Sequence, residues 1–272
     1  MSDDKAIAFL QWALPNMGYR WEGFRKPRNQ VLRRIRGRMQ TLGLTGGYSE
    51  YKEYLQTNPQ EWNQLDKLCD VTISKFFRDR KVWDFMRDNL LPALFKNSDS
   101  QTISTWSAGC CNGEEAYSLA IISEQIAETF DSNISVNILA SDRNTEVMER
   151  ARAGRYPSGS LKELTQREID AFFDKQEQAG EEEYQIKQSI TRQVTFDQRD
   201  ICNALPRQIF DIILCRNLVF TYFTKKRQQT FLDRLKPHLS DHGHLVIGAN
   251  EEVPDLAWLS PVSKTHKVFA KN

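Results

Sequence analysis

Apolar residues recur at helical spacing through the first 70 residues of the chain, and they predict a small all-helical module. The clearest stretch follows Pro27, where Leu32, Ile35, Met39 and Leu42 fall on one face of a helix. Glycines come directly after it and predict its end, because glycine disfavours continued helical backbone. The same spacing predicts further helices at residues 6–14, 48–56 and 61–68.

From about residue 72 the pattern changes to short apolar runs that alternate with helical segments. Strands are predicted at 103–106, 136–140, 209–214, 244–248 and 267–270, and helices at 76–95, 116–130, 145–153 and 225–239. Such alternation is typical of a parallel sheet with helices on its faces. Short antiparallel strands are predicted at 184–190 and 193–196, and we expect a small β insertion at about 158–198. The sequence therefore predicts an α/β protein with a helical domain at 1–70 and a larger domain at 71–272.

The composition is that of an ordinary soluble globular protein. The chain has 272 residues, of which 40% are hydrophobic and 27% charged, and its net charge of +1 gives no support for nucleic-acid binding. No apolar run approaches the roughly 20 residues that span a bilayer, and the N-terminus lacks a signal-peptide pattern. The five cysteines are odd in number and contain no Cys-x-x-Cys pair. We therefore expect neither a disulfide framework nor a metal site, and a reducing cytoplasm as the compartment.

One loop carries the strongest chemical signal. Residues 106–119 read WSAGCCNGEEAYSL, in which an apolar strand gives way to small residues with Gly109 and Gly113, and then to a helix. This arrangement brings the backbone of an α/β sheet close to a nucleotide-like ligand. The loop lacks the lysine of a phosphate-binding loop, and Glu114 and Glu115 at the helix start would repel a phosphate. The expected ligand is therefore adenosine-like but not anionic, and S-adenosylmethionine fits.

Polar residues at the ends of later strands extend this candidate site. Asp142 ends the second predicted strand, where a carboxylate can accept both hydroxyl hydrogens of a ribose; the alternative is that it caps the following helix. Asp200 lies in the loop after another short strand, where it can accept the exocyclic amine of adenine; the alternative is a surface turn. Arg216 and Asn217 directly follow a fully apolar strand, at the edge of the sheet where ligands bind.

Ordered motifs run through nearly the whole chain. They are FFRD at 76–79, WSAGC-x-x-GEE-x-YSLA at 106–120, SDR at 141–143, ARAGRY at 151–156 and CRN at 215–217. Together they resemble the CheR-type chemotaxis-receptor methyltransferases, which use S-adenosylmethionine to esterify receptor glutamates. The resemblance implies a Rossmann-like methyltransferase domain, with S-adenosylmethionine as cofactor and S-adenosylhomocysteine as product. We expect a monomeric cytoplasmic enzyme.

The resemblance also implies roles for individual residues. The implied cofactor contacts are Thr72, Ser74, Arg78, Glu115, Asp142, Asp200, Ile201, Arg216 and Asn217, to which the loop itself adds Gly109. Glu115 is expected to bind the cationic methionine end. Arg78 is implied to lie near the reacting methyl, and with Tyr222 it is predicted to orient the acceptor oxygen as a catalytic residue. The alternative for Arg78 is a surface ion pair with Asp79 or Asp84.

Three departures from the family pattern cluster on the acceptor side. Thr72 stands where the family usually has asparagine, and Thr221 takes the register of a family tyrosine, with Tyr222 one residue later. Residues 248–251 read Gly-Ala-Asn-Glu instead of Gly-His-Ser-Glu. Three functions remain open: a receptor-glutamate methyltransferase, which we expect, a methyltransferase of another protein or small carboxylate, and a cofactor-binding signalling module without turnover.

The second helix carries basic residues with no acidic residue among them. They are Arg25, Lys26, Arg28, Arg33, Arg34, Arg36 and Arg38. We expect Arg33, Arg34 and Arg38 to bind an acidic protein, such as the cytoplasmic helices of a receptor. A solvated helix face and nucleic-acid binding are the alternatives, and the small net charge weakens the second.

In some family members the β insertion docks a receptor-tail peptide by adding a strand.

Overall fold

The described part of the chain divides into two compact units. The computed structural model describes residues 3–97, 102–130, 135–178 and 181–272. The first unit comprises Met1–Val71 with Thr221–Thr230, and the second comprises Thr72–Phe220 with Phe231–Asn272. The sequence analysis predicts a single boundary at residue 70. It does not predict that residues 221–230 group with the N-terminal unit. Over the described residues, no helix combines the length and the apolar character that crossing a bilayer requires.

The N-terminal unit is helical, as predicted. Its helices are α1 Asp3–Asn16, α2 Trp21–Phe24, α3 Arg28–Thr41, α4 Tyr48–Thr57 and α5 Glu61–Leu68. The apolar stripe of α3 forms part of the core, since Leu32, Ile35 and Met39 are buried. Each such side chain stabilises the fold by about 1.5–3 kcal/mol through its removal from water.

The second unit contains the strands and most of the remaining helices. The strands are β1 Thr102–Ala108, β2 Ser135–Asp142, β3 Arg155–Pro157, β4 Phe173–Gln178, β5 Glu181–Ile186, β6 Val194–Gln198, β7 Phe210–Leu214, β8 Leu239–Val246, β9 Leu259–Ser263 and β10 Val268–Lys271. The helices are α6 Arg80–Phe85, a π-helical turn at Met86–Leu90, α7 Leu91–Asn97, α8 Glu114–Phe130, α9 Thr145–Ala153, α10 Gln166–Phe172 and α11 Gln188–Thr191. Two further helices, α12 Val219–Tyr222 and α13 Lys225–Leu235, each contain residues of both units.

The main sheet places the loops after β1 and β7 where a ligand is expected. Its strand order is β6-β2-β1-β7-β8-β10-β9. The strands from β6 to β8 in this order are parallel, and β10 is antiparallel to both of its neighbours. The chain moves from β1 outward through β2 to β6, and then returns to β7 on the other side of β1. Open α/β sheets bind ligands outside the carboxyl ends of their strands, at the point where the strand order reverses in this way.

The predictions for two regions, 76–95 and 184–196, are wrong in part, since the strand predicted at 184–190 ends at Ile186 and is followed by α11. The expected antiparallel strand at 193–196 belongs to β6, which pairs in parallel with β2 at an edge of the main sheet. The small antiparallel sheet has the order β3-β5-β4 instead, because a polar–apolar alternation predicts a strand but not its partner. The helix predicted at 76–95 begins only at α6, since Phe77 and Asp79 have left-handed φ angles of 49° and 62°, which a right-handed helix excludes.

Candidate cofactor site

The loop after β1 makes a turn that requires glycine. Gly109 has a φ of +82°, and a Cβ added there would come within 2.4 Å of Cδ2 of Leu218. The backbone N–H groups of Gly109 and Cys110 donate to the carbonyl oxygen of Ser141 over 2.8 and 2.9 Å. These bonds join the carboxyl ends of β1 and β2.

A second glycine lets α8 begin in close contact with its neighbours. Gly113 has a φ of +89°, and a Cβ there would lie 3.0 Å from Cβ of Ala151 and 3.2 Å from the hydroxyl of Tyr156. Glu114 and Glu115 then form the start of α8. The unpaired N–H groups of a first helical turn favour negative charge, so both carboxylates suit this position.

A buried ion pair joins the start of α8 to the loop after β7. The Arg216 side chain is 1% exposed, and its Nη1 lies 3.2 Å from Oε2 of Glu115. The hydroxyl of Ser107 donates to Oε1 of the same glutamate over 2.8 Å. Burial raises the pKa of Glu115, and the charge of Arg216 opposes that rise. Because a carboxylate offers about four lone-pair positions, Glu115 keeps capacity for a cationic ligand group.

The FFRD turn is fixed through its main chain. The carbonyl oxygen of Arg78 accepts hydrogen bonds from Nε1 of Trp83 over 2.9 Å and from Nη2 of Arg216 over 2.6 Å. The same guanidinium group lies 3.1 Å from the carboxylate of Asp79. The Arg78 side chain donates to the carbonyl oxygen of Ile73 over 3.0 Å. Arg216 therefore connects this turn to the glutamate at the start of α8.

Both carboxylates considered as ion-pair partners of Arg78 bind other arginines. Asp79 pairs with Arg216, and Asp84 pairs with Arg80 and Arg87. The charge of Arg78 instead helps to lower the pKa of Glu115, although burial has the larger effect and raises it. Arg78 thus lies close enough to the candidate site for its charge to affect a site carboxylate.

Asp142 lies at the end of β2 and binds the glycine loop. Its Oδ2 accepts the backbone N–H of Cys111 over 3.1 Å, and its Oδ1 accepts that of Asn144 over 2.9 Å. Helix α9 is capped by the side chain of Asn144, which accepts the N–H of Val147 over 3.3 Å. The interpretation of Asp142 as the cap of α9 is therefore wrong. Its carboxylate lies beside the loop, where an acidic residue binds ribose in dinucleotide folds.

The loop after β6 reaches the same edge of the sheet. The N–H of Arg199 donates to the carbonyl oxygen of Asp142 over 2.9 Å. The carboxylate of Asp200 accepts the backbone N–H two residues further on over 2.8 Å and the amide of Asn203 over 3.1 Å. Asp200 therefore forms a turn of its own, and Ile201 beside it is buried. Contacts from these two residues to adenine stay a prediction.

A glutamate that the sequence motifs leave without a role holds the CRN loop. Asn217 has a left-handed φ of 57°, and its N–H donates to Oε2 of Glu251 over 2.8 Å. The same oxygen accepts the N–H of Gly248 over 2.7 Å. Glu251 is buried. One feature of the sequence could have identified Glu251: it keeps the glutamate of the family pattern, although the two residues before it depart from that pattern.

The remaining predicted residues have contacts of their own. Burial raises the pKa of Glu114, and a hydrogen bond between its side chain and Ser74 opposes that rise. Thr72 is the first residue of the second unit. Tyr222 belongs to the N-terminal unit, where its ring centroid lies 5.0 Å from that of Phe24. The expected role of Tyr222 in orienting an acceptor stays a prediction.

Two of the three basic residues predicted to bind a partner are engaged within the N-terminal unit. Nε and Nη2 of Arg38 donate to the buried carboxylate of Glu61 over 2.9 and 2.8 Å. Arg34 donates to main-chain carbonyl groups at the C-terminal end of α5. Arg33 is exposed, as is Arg36. The basic surface that α3 presents to solvent therefore includes Arg33 and Arg36, while Arg34 and Arg38 contribute to the fold.

The charges and donors at the carboxyl edge of the sheet fit S-adenosylmethionine. Glu115 and Asp142 present carboxylate oxygens, which suit amino and hydroxyl groups, and Arg216 is neutralised by its carboxylate partners, so it is not available to bind a phosphate. Burial raises the pKa of the Cys110 and Cys111 thiols. These thiols therefore remain protonated and are poor nucleophiles toward an activated methyl group.

This fold and site together define an S-adenosylmethionine-dependent methyltransferase. The family described as CheR methyltransferase, SAM binding domain, matches residues 72–268. The chain belongs to this family.

Curated relatives span most of the chain. The chemotaxis protein methyltransferase of Borreliella burgdorferi is 29% identical, covering 80% of this chain and 80% of its own. That of Listeria innocua is 30% identical over 76% and 75% of the two chains, and that of Escherichia coli is 30% identical over 84% and 78%.

Proposed function

We propose that this protein transfers the methyl group of S-adenosylmethionine to glutamate side chains of a chemotaxis-type receptor, giving a methyl ester. The observation that carries the proposal is the buried Glu115–Arg216 pair at the reversal point of the sheet, in a chain that belongs to the CheR family. The relatives described above are named chemotaxis protein methyltransferases, which supports a receptor of that system as the acceptor.

Each part of the cofactor has a proposed partner. Glu115 binds the amino group of the methionine moiety, since its carboxylate is held at the start of α8 by Ser107 and Arg216. Asp142 binds the ribose hydroxyls, and Asp200 with Ile201 binds the adenine. The other proposed contacts are Thr72, Ser74, Arg78, Gly109, Arg216 and Asn217.

The proposed transfer needs alignment and no general base. A glutamate side chain has an ordinary pKa of about 4.3, so the acceptor is already ionised at neutral pH. Bound S-adenosylmethionine supplies a methyl carbon activated by its sulfonium. A carboxylate oxygen forms the new O–C bond as the C–S bond breaks, the electron pair remains on sulfur, and the opposite charges cancel without release of a proton. The protein contributes by holding the two reactants in line and by excluding water.

Arg78 and Tyr222 are the residues that we propose to orient the acceptor oxygen. A guanidinium group offers a planar fork of N–H donors that matches a carboxylate. The turn that carries Arg78 is fixed by the bonds of its carbonyl oxygen to Trp83 and Arg216. Arg78→Ala is expected to slow transfer with both S-adenosylmethionine and receptor at saturation. A full rate and full affinity in this variant would contradict the role.

The acceptor is tested by incubating the protein with methyl-labelled S-adenosylmethionine and membranes that contain chemotaxis receptors. We expect label on the receptor that mild alkali releases as methanol, because methyl esters are base-labile. Alkali-stable label, or label on a different protein or a small carboxylate, would contradict the receptor-glutamate acceptor. Binding of S-adenosylhomocysteine without transfer to any acceptor would contradict turnover itself.

An acidic face of the receptor is the proposed partner of α3. Opposite charges accelerate and strengthen association in a salt-dependent way. The double variant Arg33→Glu and Arg36→Glu is expected to weaken receptor binding and to reduce its salt dependence. Arg150→Glu, at a side chain that is 66% exposed on α9, is a control charge reversal at a single position and is expected to have no effect. Equal binding by the double variant and the wild type would remove α3 from the interface.

A further inference from the structure

We propose that Glu251 is a positioning residue of the cofactor site, which holds the loop Arg216–Asn217 in the conformation that cofactor binding requires. Glu251 follows β8, and the loop that it holds follows the neighbouring strand β7. The proposal rests on the proposed function only through cofactor binding, and it is independent of the acceptor.

One carboxylate oxygen joins the two loops. Oε2 of Glu251 accepts the N–H of Asn217 over 2.8 Å and that of Gly248 over 2.7 Å. The strands below are also in register, since Leu214 lies opposite Val246. Glu251 is 4% exposed, so without its side chain two backbone donors would lack an acceptor in a place that water reaches poorly.

The backbone that Glu251 holds is left-handed. Asn217 has a φ of 57°, in a region that asparagine adopts more readily than most L residues but less readily than glycine. Arg216 precedes it directly, and the Arg216 guanidinium bonds to Glu115, Asp79 and the carbonyl oxygen of Arg78. A change of backbone at Asn217 therefore moves the group on which Glu115 and the FFRD turn depend.

A side chain at the other end of the contact would have to displace the polar ends of Asn217 and Glu251. A Cβ at Gly248 would lie 2.8 Å from Nδ2 of Asn217 and 2.8 Å from Oε2 of Glu251. The two hydrogen bonds of this contact use the Glu251 side chain and the main chain of the two loops. Neither Ala249 nor Asn250 supplies an atom to these bonds, so their departure from the family pattern leaves the contact intact.

The charge of Glu251 adds to the effect of its geometry. Burial raises the pKa of the neighbouring Cys215 thiol, and the negative charge of Glu251 raises it further. Hydrogen bonds from N–H groups to an ionised carboxylate are about twice as strong as neutral ones. Glutamine at this position would keep an acceptor oxygen and lose the charge, whereas alanine would lose both.

The test is S-adenosylhomocysteine binding measured by calorimetry, with circular dichroism to establish that each variant is folded at the temperature used. Glu251→Ala is expected to raise the Kd at least tenfold, and Glu251→Gln to raise it by about threefold or less, since one amide oxygen can accept both N–H groups. Glu252→Ala removes a carboxylate from the adjacent exposed residue and is expected to leave the Kd unchanged. A folded Glu251→Ala variant with the wild-type Kd would overturn the proposal.

A double-mutant cycle with Asn217→Gly separates positioning from a general loss of structure. Glycine adopts left-handed backbone without assistance, so Glu251→Ala should raise the Kd by a smaller factor when residue 217 is glycine. The same factor in both backgrounds would overturn the proposed route through the loop. If Glu251→Ala does not fold, Glu251→Asp replaces it, because the shorter side chain withdraws the oxygen from both N–H groups. Wild-type affinity in that variant would also overturn the proposal.

Failure of the proposed function gives a different result. S-adenosylhomocysteine binding needs no acceptor, so absence of receptor methylation would contradict the receptor proposal while the Kd series still decides the role of Glu251. A wild-type protein that does not bind S-adenosylhomocysteine would overturn both.

Discussion

Replacement of Arg216 by methionine tests how the cofactor site is held together. The guanidinium group bonds to Glu115, Asp79 and the carbonyl oxygen of Arg78, and it lies 5.1 Å from the ring centroid of Trp83. Methionine keeps an unbranched apolar side chain that can pack on that ring. It removes every hydrogen-bond donor and the positive charge.

The expected cost follows from what Arg216 leaves behind. Removal of one partner of a buried ion pair costs about 3–5 kcal/mol, because the other charge remains buried without compensation. Glu115, with a side chain that is 13% exposed, carries most of this cost, whereas Asp79 is 25% exposed and is better hydrated. A loss of this size lowers the melting midpoint of a unit of 150–250 residues by roughly 6–20 °C. Scanning calorimetry measures the shift directly.

A second substitution shows whether the unpaired charge is the cause. Arg216→Met leaves the buried charge of Glu115 without a partner, and adding Glu115→Gln removes that charge. The double variant is therefore expected to melt at a higher temperature than Arg216→Met alone. A midpoint within about 2 °C of the wild type for Arg216→Met would refute the reasoning, since it corresponds to about 1 kcal/mol or less. Additive losses in the double variant would refute it as well.

The pH dependence gives an independent check. Burial raises the pKa of Glu115, and Arg216 partly offsets this. A carboxylate with a raised folded-state pKa stabilises the protein when protonated, and that stability is lost as the pH rises through the raised value. Arg216→Met raises this pKa further. The loss of stability of Arg216→Met relative to the wild type should therefore be largest near neutral pH and should shrink toward the ordinary carboxyl range of about pH 4–5. A loss of stability that does not change with pH would contradict the argument.

Three further variants test other parts of the structure. Asp142→Ala is expected to raise the Kd for S-adenosylhomocysteine by roughly 10- to 150-fold, which corresponds to the usual 1.5–3 kcal/mol of a hydrogen bond to a charged group. Asp142→Asn should bind more tightly than the alanine variant. Wild-type affinity of both variants in calorimetry would remove Asp142 from the site. Gly109→Ala brings a methyl group within 2.4 Å of Leu218 and should lower both the affinity and the melting midpoint, whereas an unchanged midpoint would show that the turn relaxes freely. Arg38→Ala should destabilise the N-terminal unit by about 1–3 kcal/mol in urea unfolding. Arg38 lowers the pKa of Glu61. The stability that this pair adds is therefore present above the ordinary carboxyl pKa and is lost as the pH falls through the lowered value. An equal loss of unfolding free energy in Arg38→Ala at neutral and at acid pH would argue against this pair as the cause.

The helices of the N-terminal unit could be predicted because their physical cause is local. Leu32, Ile35 and Met39 repeat at the period of the helix, and the structure buries all three. Sheet pairing has a different cause, since partners come together from distant parts of the chain. The sequence around Val194 therefore predicted a strand correctly but assigned it to the wrong sheet.

The basic face of α3 shows a second limit of sequence patterns. Charge and spacing correctly place Arg34 and Arg38 on the same side of the helix, one turn apart. They give no indication that a buried carboxylate on α5, that of Glu61, pairs with Arg38. A long basic side chain therefore has two possible surroundings, solvent or a buried acid, and only the fold decides between them.

The backbone of the candidate site was also beyond the sequence patterns. Phe77, Asp79, Cys111 and Asn217 all have left-handed φ angles between 49° and 62°. Glycine is the strongest signal of such a conformation in a sequence, and asparagine and aspartate are weaker ones; none of these four residues is glycine. The conformation costs about 1–2 kcal/mol for most L residues and less for asparagine and aspartate, so surrounding contacts help to maintain it.

Charged side chains supply these contacts at three of the four positions. Asp79 is paired with Arg216, the N–H of Cys111 donates to Asp142, and the N–H of Asn217 donates to Glu251. The acidic and basic residues at the strand ends thus stabilise strained backbone in addition to any contact with the cofactor. Substituting one of them changes the loop as well as a ligand contact, so a loss of affinity alone does not establish direct contact. A comparison of asparagine or glutamine variants, which keep an acceptor oxygen, with alanine variants, which do not, is therefore needed at each of the acidic positions.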